Sequence, residues 1–258
     1  MTNRPPISAY VRTRNEARLI ADVVRAALAV ADEVVVIDSG STDGTPQIAE
    51  KAGARVMRQT WLGNGHQKRV GEEACRHDWL LDLDADEVVT PALAGEISAL
   101  FDNGEPACSV YRTPMAIAPP VGKPWIGFGG VVRHKLYDRR KHRAPEHNAW
   151  DQFEIPAGES VGRLTAHILH HAFGVAGQLA DKVNRNSTTR AKELKAKPMP
   201  ILVLRIFFAM PFYFLKRYIL DGLIRGGVYG FAYARISAYG RWLRDVKMYE
   251  RLRRERGK

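Results

Sequence analysis

Acidic side chains are concentrated in the segment L-D-L-D-A-D-E, which ends at Glu87 and follows an apolar stretch that begins at Trp79. Residues two apart in a strand lie on the same side, so Asp82, Asp84 and Asp86 would line up if the chain stayed extended. Two such carboxylates can both reach a hard divalent cation or the diphosphate that it carries. The segment predicts a site for Mg²⁺ or Mn²⁺, with a solvated acidic turn before the next helix as the alternative.

A further carboxylate, Asp38, ends the β-branched run E-V-V-V-I-D and precedes the turn S-G-S-T-D-G-T. Backbone N–H groups and short hydroxyls of this turn can point at a ligand, and Asp38 alone could equally be the residue that initiates the turn. Neither G-x-x-x-x-G-K nor a G-x-G-x-x-G in the first turn is present. An ATPase and a dinucleotide-dependent oxidoreductase are therefore disfavoured.

The elements that must position these residues alternate between strand and helix from the start of the chain. Asn15 is a plausible N-cap for the first helix, and Thr90 followed by Pro91 predicts the start of a later one. This alternation predicts an α/β fold with a mostly parallel, Rossmann-like sheet and helices on both faces. The predicted strands are residues 7–11, 33–38, 55–58 and 79–83, and the predicted helices are residues 19–28, 46–52, 64–76 and 90–101.

Three polar clusters fall where predicted strands end, at residues 12–16, 38–43 and 82–87. Ligands of such sheets bind beyond the carboxyl ends of the strands. The three clusters are therefore expected to converge on one crevice.

Four motifs, in this order and spacing, carry a resemblance to a known family. The chain resembles the family 2 glycosyltransferases with the GT-A fold, and among them the lipopolysaccharide core glycosyltransferases, a group that includes β-1,4-glucosyltransferases. The resemblance is strong over the first 90 or so residues and patchier over residues 126–194. The motifs are Y-V-R-T-R-N-E (10–16), V-V-V-I-D-S-G-S-T-D-G-T (34–45), G-N-G-H-Q-K-R (63–69) and W-L-L-D-L-D-A-D-E (79–87).

The resemblance implies roles for individual residues. Lys68 would lie near the diphosphate or the sugar of a nucleotide-sugar, Asp84 would face the ribose or the sugar, and Asp86 would ligate the metal. Arg12 departs from the family pattern, in which this position is usually small or apolar. The residues that would hold the nucleoside are Thr13, Arg14, Asn15, Glu16 and Asp38.

Such enzymes invert the anomeric centre in a single displacement, so they need one carboxylate base for the acceptor hydroxyl. Relatives often supply it from a His-Glu pair a dozen or so residues before a V-G-R-L segment, which here is residues 161–164. Counting back places Asp151 at that position, and Glu146 is the reserve candidate. The alternative for Asp151 is a plain surface acid.

Three histidines lie in the segment L-T-A-H-I-L-H-H. None of them has metal-site spacing to a Cys or carboxylate, which favours core or acceptor-site histidines over a zinc site.

The net charge of +11 is unevenly distributed along the chain. Residues 1–180 carry 20 Lys and Arg against 22 Asp and Glu, whereas residues 181–258 carry 19 against 6. The expected division is a catalytic domain over residues 1–180 and a basic, aromatic-rich helical region over residues 181–258.

Residues 206–215 of this basic region form a charge-free apolar run, which is too short for a spanning helix of about 20 residues. Aromatic residues and cations alternate after it, as in a helix that lies on an anionic membrane surface. A helical layer packed on the sheet and a nucleic-acid-binding surface are the alternatives, and the second explains the apolar run poorly.

These observations favour an inverting, metal-dependent enzyme that transfers a hexose from a nucleotide-sugar, a UDP-sugar by preference, to a lipid-anchored glycan such as the lipopolysaccharide inner core. It would work as a peripheral protein at the cytoplasmic face of the inner membrane. The alternatives are a polyprenyl phosphate or another surface glycan as acceptor, and a non-catalytic protein that binds nucleotides or polyanions.

Overall fold

The structure, a computed structural model, describes residues 4–172, 174–195 and 197–257. Strands dominate its first two thirds and helices the remainder. The strands are β1 Ile7–Thr13, β2 Glu33–Asp38, β3 Arg55–Arg58, β4 Trp79–Asp84, β5 Glu87–Val89, β6 Val110–Ile117, β7 Val131–Asp138, β8 Gly162–Arg163 and β9 Ile168–His170. The α-helices are α1 Ile20–Leu28, α2 Thr45–Lys51, α3 Asn64–Ala74, α4 Pro91–Phe101, α5 Ala176–Glu193, α6 Met199–Leu215 and α7 Gly227–Arg256.

The first four strands form a parallel sheet in the order β3-β2-β1-β4. Their register pairs Thr13 with Asp38 and Arg12 with Asp84, so the three strand ends lie side by side. Alternate strand residues enter two separate apolar clusters, one with α1 and α4 and the other with side chains of α3. The predicted α/β fold with helices on both faces is confirmed.

The second half of the sheet is antiparallel, which the sequence did not predict. β7 pairs antiparallel with both β4 and β6, β5 pairs antiparallel with β9, and the short β8 runs parallel to β6. This half brings side chains from β7 and β9 to the end of β4.

Two predicted helix starts had different outcomes. Thr90 is the N-cap of α4, accepting a hydrogen bond from Leu93 N at 3.2 Å with Pro91 at the first helical position, as predicted. Asn15 is not a cap, because α1 begins only at Ile20. Its backbone is left-handed, with φ of +56°, a conformation that Asn tolerates better than most residues. Its side chain bonds to a neighbouring loop instead.

The chain forms two compact units. The sheet unit comprises the described residues up to Ala116 and Val131–His171. The helical unit comprises Ile117–Gly130 and the residues from Ala172 onward. In the core of the helical unit, Trp125 stacks on Phe128 with ring centroids 5.8 Å apart. The predicted extent of the catalytic domain, residues 1–180, stays a prediction.

The apolar run of the helical unit belongs to a longer helix than the sequence indicated. Helical structure continues from Met199 to Leu220, 22 residues, and is long and apolar enough to cross a membrane by length and composition. The expectation of a helix too short to span is therefore wrong. The ten-residue length counted only the charge-free residues between Arg205 and Lys216, whereas the helix includes Arg205, whose Nη2 lies 2.7 Å from Asp245 Oδ2.

Candidate active site

Two loops at the ends of β1 and β2 are joined by hydrogen bonds. Asn15 Oδ1 accepts from Thr42 N at 2.8 Å, and Ser41 Oγ accepts from Asn15 N at 2.8 Å. Glu16 N donates to Thr45 Oγ1 at 2.9 Å. The residues predicted to hold a nucleoside, 13–16 and 38, are therefore neighbours in a cradle that exists without a ligand.

The buried carboxylate of Asp38 lies at the base of this cradle. It accepts hydrogen bonds from Gly40 N at 3.2 Å and Ser41 N at 3.1 Å, so it holds the turn in shape. Beside it, the buried Oγ1 of Thr13 has no hydrogen-bond partner in the structure. A buried hydroxyl without a partner is costly and points to a ligand that would use it.

At the end of β4, three carboxylates come together. Asp84, Asp86 and Glu87 each offer an oxygen, and these atoms lie within 4.8 Å of one another. Asp82 is not among them, contrary to the alternation expected of an extended chain. The strand ends at Asp84 and the chain turns at Ala85, which turns Glu87 rather than Asp82 toward the other two.

Three buried cations neutralise part of this acidic cluster. Arg12 Nη2 lies 2.5 Å from Asp84 Oδ1, and Lys68 Nζ lies 2.6 Å from Asp82 Oδ2. The third, on β7, is Lys135, whose Nζ lies 2.6 Å from Glu87 Oε2 and 3.8 Å from Asp82 Oδ2.

The electrostatic effect of these pairs is large because the groups are shielded from water. Burial alone would raise the pKa of Asp84, but Arg12 and Lys135 outweigh it and lower that pKa to about 2. The carboxylate is therefore ionised at neutral pH, as a metal ligand must be.

Asp151 reaches the same network from a segment that lacks regular secondary structure. Its Oδ2 lies 3.3 Å from Lys68 Nζ and 3.4 Å from Arg12 Nη2. Partial burial acts to raise the pKa of Asp151, but the positive charges of Lys68 and Arg12 have the larger effect, so the pKa is lower than usual. The side chain remains 29% exposed, so an incoming hydroxyl can approach it. The reserve candidate, Glu146, lies exposed on the same segment.

The segment that carries Asp151 is held against the start of α3. Asn64 N donates to Asn148 O at 2.7 Å, and Gly65 N donates to His147 O at 2.9 Å. A Cβ at Gly65 would lie 2.0 Å from Pro145 O, so only glycine permits this approach. The cradle, the carboxylate cluster and Asp151 therefore lie around one group of buried cations.

Comparison with known proteins decides the family. The sequence profile of glycosyl transferase family 2 matches residues 8–153, more than half of the chain. The chain belongs to that family. The enzyme is therefore a glycosyltransferase, and its sheet is the GT-A-type fold that the motifs predicted.

Relatives match this glycosyltransferase over nearly its whole length. The lipopolysaccharide core biosynthesis glycosyltransferase LpsC of Rhizobium meliloti is 28% identical, covering 97% of this chain and 94% of its own. The uncharacterized glycosyltransferase RP128 of Rickettsia prowazekii is 30% identical, over 94% of this chain and 86% of its own.

Among solved structures, glucosyl-3-phosphoglycerate synthase of Mycobacterium tuberculosis, in complex with Mg²⁺ and UDP, matches with a TM-score of 0.35 and 23% identity. That alignment covers 45% of this chain and only 44% of the synthase chain.

Sequence reasoning left Glu87 and Lys135 out of the glycosyltransferase site, and it treated His170 as a core or acceptor-site histidine without metal-site spacing. Glu87 and Lys135 enter through the turn after β4 and through β7. His170, on β9, has its Nε2 3.4 Å from Asp86 Oδ2, where the register pairs it with Glu87. β7 also carries Arg133, His134 and Asp138, so the sequence held no signal that singled out Lys135.

The donor set suits a hard divalent ion. Three carboxylates converge, with no thiolate among them and with His170 in contact with one of them, Asp86, which favours Mg²⁺ or Mn²⁺ over softer metals. Asp82, Asp84, Asp86, Glu87 and Asp151 carry five formal negative charges against the three positive charges of Arg12, Lys68 and Lys135. A divalent cation would balance the remainder, so the residues fit the ion.

Proposed function

We propose that this glycosyltransferase moves a hexose from a nucleotide-sugar, preferably a UDP-sugar, to a lipid-anchored glycan such as the lipopolysaccharide inner core, with inversion and with a divalent metal. The observation that carries the proposal is the group of Asp84, Asp86 and Glu87 at the end of β4, beside the cradle formed by the β1 and β2 loops. Carboxylates that can hold a divalent metal, next to loops that can hold a nucleoside, suit the binding of a nucleotide-sugar.

Asp86 is the principal metal ligand in this proposal, with Asp84, Glu87 and His170 close enough to complete the set. When bound, Mg²⁺ or Mn²⁺ would stabilise the negative charge that develops on the departing diphosphate. Lys68, held between Asp82 and Asp151, adds a fixed positive charge on the same side of the site.

The nucleoside is assigned to Thr13, Arg14, Asn15, Glu16 and Asp38. The unpartnered hydroxyl of Thr13 supports this assignment, because a ligand atom would satisfy it. Asp84 would face the ribose or the sugar from the other side of the cradle.

Asp151 is assigned as the base that takes the proton of the acceptor hydroxyl while the donor's bond to diphosphate breaks. Lys68 and Arg12 lower the pKa of Asp151, which keeps its carboxylate ionised and also makes it a weaker proton acceptor than a free carboxylate. Lys68 and Arg12 hold it in place at 3.3 and 3.4 Å. Glu146 stays in reserve as an exposed alternative.

The acceptor is proposed from the relatives and from the helical unit. LpsC is named for lipopolysaccharide core biosynthesis, and it aligns over nearly the full chain. Residues 181–258 carry 19 cations against 6 acids, and α6 exposes an apolar surface, both of which suit an anionic membrane. We therefore place the enzyme at the cytoplasmic face of the inner membrane and exclude nucleic acid as a partner.

The test is nucleotide release from a panel of UDP-sugars with lipopolysaccharide as acceptor, with Mn²⁺ and with EDTA. One sugar should be turned over in a metal-dependent manner, and the same sugar with metal should stabilise the protein in a thermal shift. Asp86→Asn should lower kcat/KM by at least about a hundredfold. Asp22→Asn, which removes an exposed carboxylate on α1, is the matched control. Undiminished turnover by Asp86→Asn would show that the metal is bound elsewhere.

A further inference from the structure

The helical unit contains a cavity of about 220 Å³ among α5, α6 and α7. The close packing of α5 and α7 bounds it, since a Cβ at Gly240 would lie 2.1 Å from Val183 Cγ1. One water takes about 30 Å³ of liquid, so the cavity has room for a group of several heavy atoms. Its polar lining consists mainly of Asn186, Ser187, Arg190, Ser237, Arg241 and Arg244.

The lining is basic, since it contains three arginines, of which Arg190 and Arg241 are exposed to solvent. No carboxylate among the described residues lines the cavity, and none there forms an ion pair with Arg190 or Arg241. Arg244 Nη2 contacts Asp245 Oδ1 at 3.0 Å, but the other oxygen of Asp245 is 2.7 Å from Arg205 Nη2. One buried carboxylate is therefore shared by two arginines.

Arg241 is held in place without being neutralised. Its guanidinium lies over the ring of Tyr213, 4.5 Å from the centroid, and this cation–π contact leaves the N–H donors of the guanidinium plane available. The hydroxyl of Ser187 already donates to Asn184 O at 2.7 Å, which leaves Ser237 as the serine hydroxyl donor of the lining. Guanidinium groups that line one cavity beside a hydroxyl donor can bind phosphate in two-pronged fashion.

We propose that this cavity binds a phosphate group. A lipid headgroup and a soluble phosphate ester share that chemistry. Tyr213 belongs to α6, whose neighbouring Phe212 is 73% exposed, so a lipid phosphate would sit beside an apolar surface suited to its chains. The site is separate from the sugar-transfer residues, so its test does not depend on the proposed function.

The first measurement titrates inorganic phosphate into the full chain in detergent, with EDTA and with sodium chloride at matched ionic strength. Arg190→Gln combined with Arg241→Gln should raise the phosphate Kd at least about tenfold, as expected for the loss of charge-assisted hydrogen bonds. The matched control is Arg185→Gln combined with Arg254→Gln, which removes the same charge from α5 and α7 outside the cavity. Its Kd should stay within about twofold.

Equal Kd values for the two double variants would overturn the proposal. If the glutamine variant fails to fold, Arg190→Lys with Arg241→Lys keeps the charge and loses the two-pronged geometry. That variant should still bind phosphate several-fold more weakly than the control, and control-like binding would again overturn the site.

Vesicle flotation separates the two sources of phosphate. Phosphatidylcholine vesicles with and without phosphatidic acid are mixed with the cavity variant and the control. Weaker flotation of the cavity variant on phosphatidic acid identifies a lipid headgroup as the ligand. Equal flotation, together with a raised Kd for inorganic phosphate, identifies a soluble phosphate ester.

Discussion

The two units treat charged and apolar side chains in opposite ways. In the sheet unit, Arg12, Lys68 and Lys135 are each less than a tenth exposed, and each contacts a carboxylate. In the helical unit, Phe207 and Phe208 on α6 are 71% and 68% exposed. The sheet unit buries charge where water must be excluded, and the helical unit exposes apolar surface where a soluble protein would hide it.

This contrast shows that one residue type serves two purposes in the chain. Arg12 is a buried counter-ion for Asp84 and Asp151, whereas Arg235 of α7 lies over the ring of Phe214, 5.4 Å from its centroid. The first arginine fixes the geometry of a site, and the second covers an aromatic ring. Substitutions in the two units should therefore differ in kind and in size.

The largest effect is expected at Asp151. Asp151→Asn keeps the shape of the side chain and removes the proposed base, so kcat should fall by about 10²- to 10⁴-fold while donor binding is kept. Steady-state kinetics and a donor titration measure the two quantities separately. Glu146→Gln, on the same segment, should leave kcat near its original value. If Asp151→Asn instead weakens donor binding, the residue belongs to the donor site, and a large loss in Glu146→Gln would move the base there.

Lys135→Met tests the claim that the sheet unit depends on buried ion pairs. Removing Lys135 leaves the carboxylate of Glu87 buried without its cation, whereas Asp82 keeps Lys68, and breaking such a pair typically costs about 3–5 kcal/mol. Denaturant unfolding should show this loss of the free energy of unfolding. Lys141→Met, at an exposed position just after β7, should change it by less than about 0.5 kcal/mol. Similar values for both lysines would contradict the claim that the sheet unit depends on buried ion pairs.

The exposed surface of α6 gives the next effect. Changing Phe207, Phe208 and Phe212 together to Ser should weaken binding to anionic vesicles at least about tenfold, since each phenyl ring would lose its burial in lipid. Thermal stability in detergent should hardly change, because these rings are exposed already. Val121→Ser, another exposed apolar position, is the control. Unchanged flotation with a large loss of stability would mean that the rings pack against protein.

The smallest effect is expected at Arg235. Arg235→Gln removes an exposed cation–π contact with Phe214, which is worth about 0.5–1 kcal/mol. Denaturant unfolding of Arg235→Gln and of Lys135→Met under the same conditions compares the losses in the free energy of unfolding for the two variants. A cost as large as that of Lys135 would show that Arg235 contributes more than an exposed cation–π contact.

Much of the sheet could be predicted from the sequence because its signals are local. Each of these signals is contained in a few consecutive residues. Examples are the β-branched runs, the helix start at Thr90–Pro91 and the acidic segment after Trp79. The register of parallel strands then brings Thr13, Asp38 and Asp84 to one edge, as the strand-end rule predicts.

The remaining site residues depend on distant pairings that one sequence does not reveal. Lys135 and His170 reach the acidic cluster through β7 and β9, and β9 is only three residues long. The length of α6 was underestimated for a similar reason. Arg205 ends the apolar run in sequence, yet Asp245, forty residues later, neutralises it within the fold.

Gly65 places an unusual constraint on how this enzyme can change. The carbonyls of Pro145 and Trp150 lie where its Cβ would be, at 2.0 and 2.6 Å, so a single added methyl would displace the backbone on both sides of the acceptor-facing segment. The position of Asp151 is thus tied to a residue outside its own segment. Changes in residues 145–150 keep this position only if they preserve the contact with the start of α3.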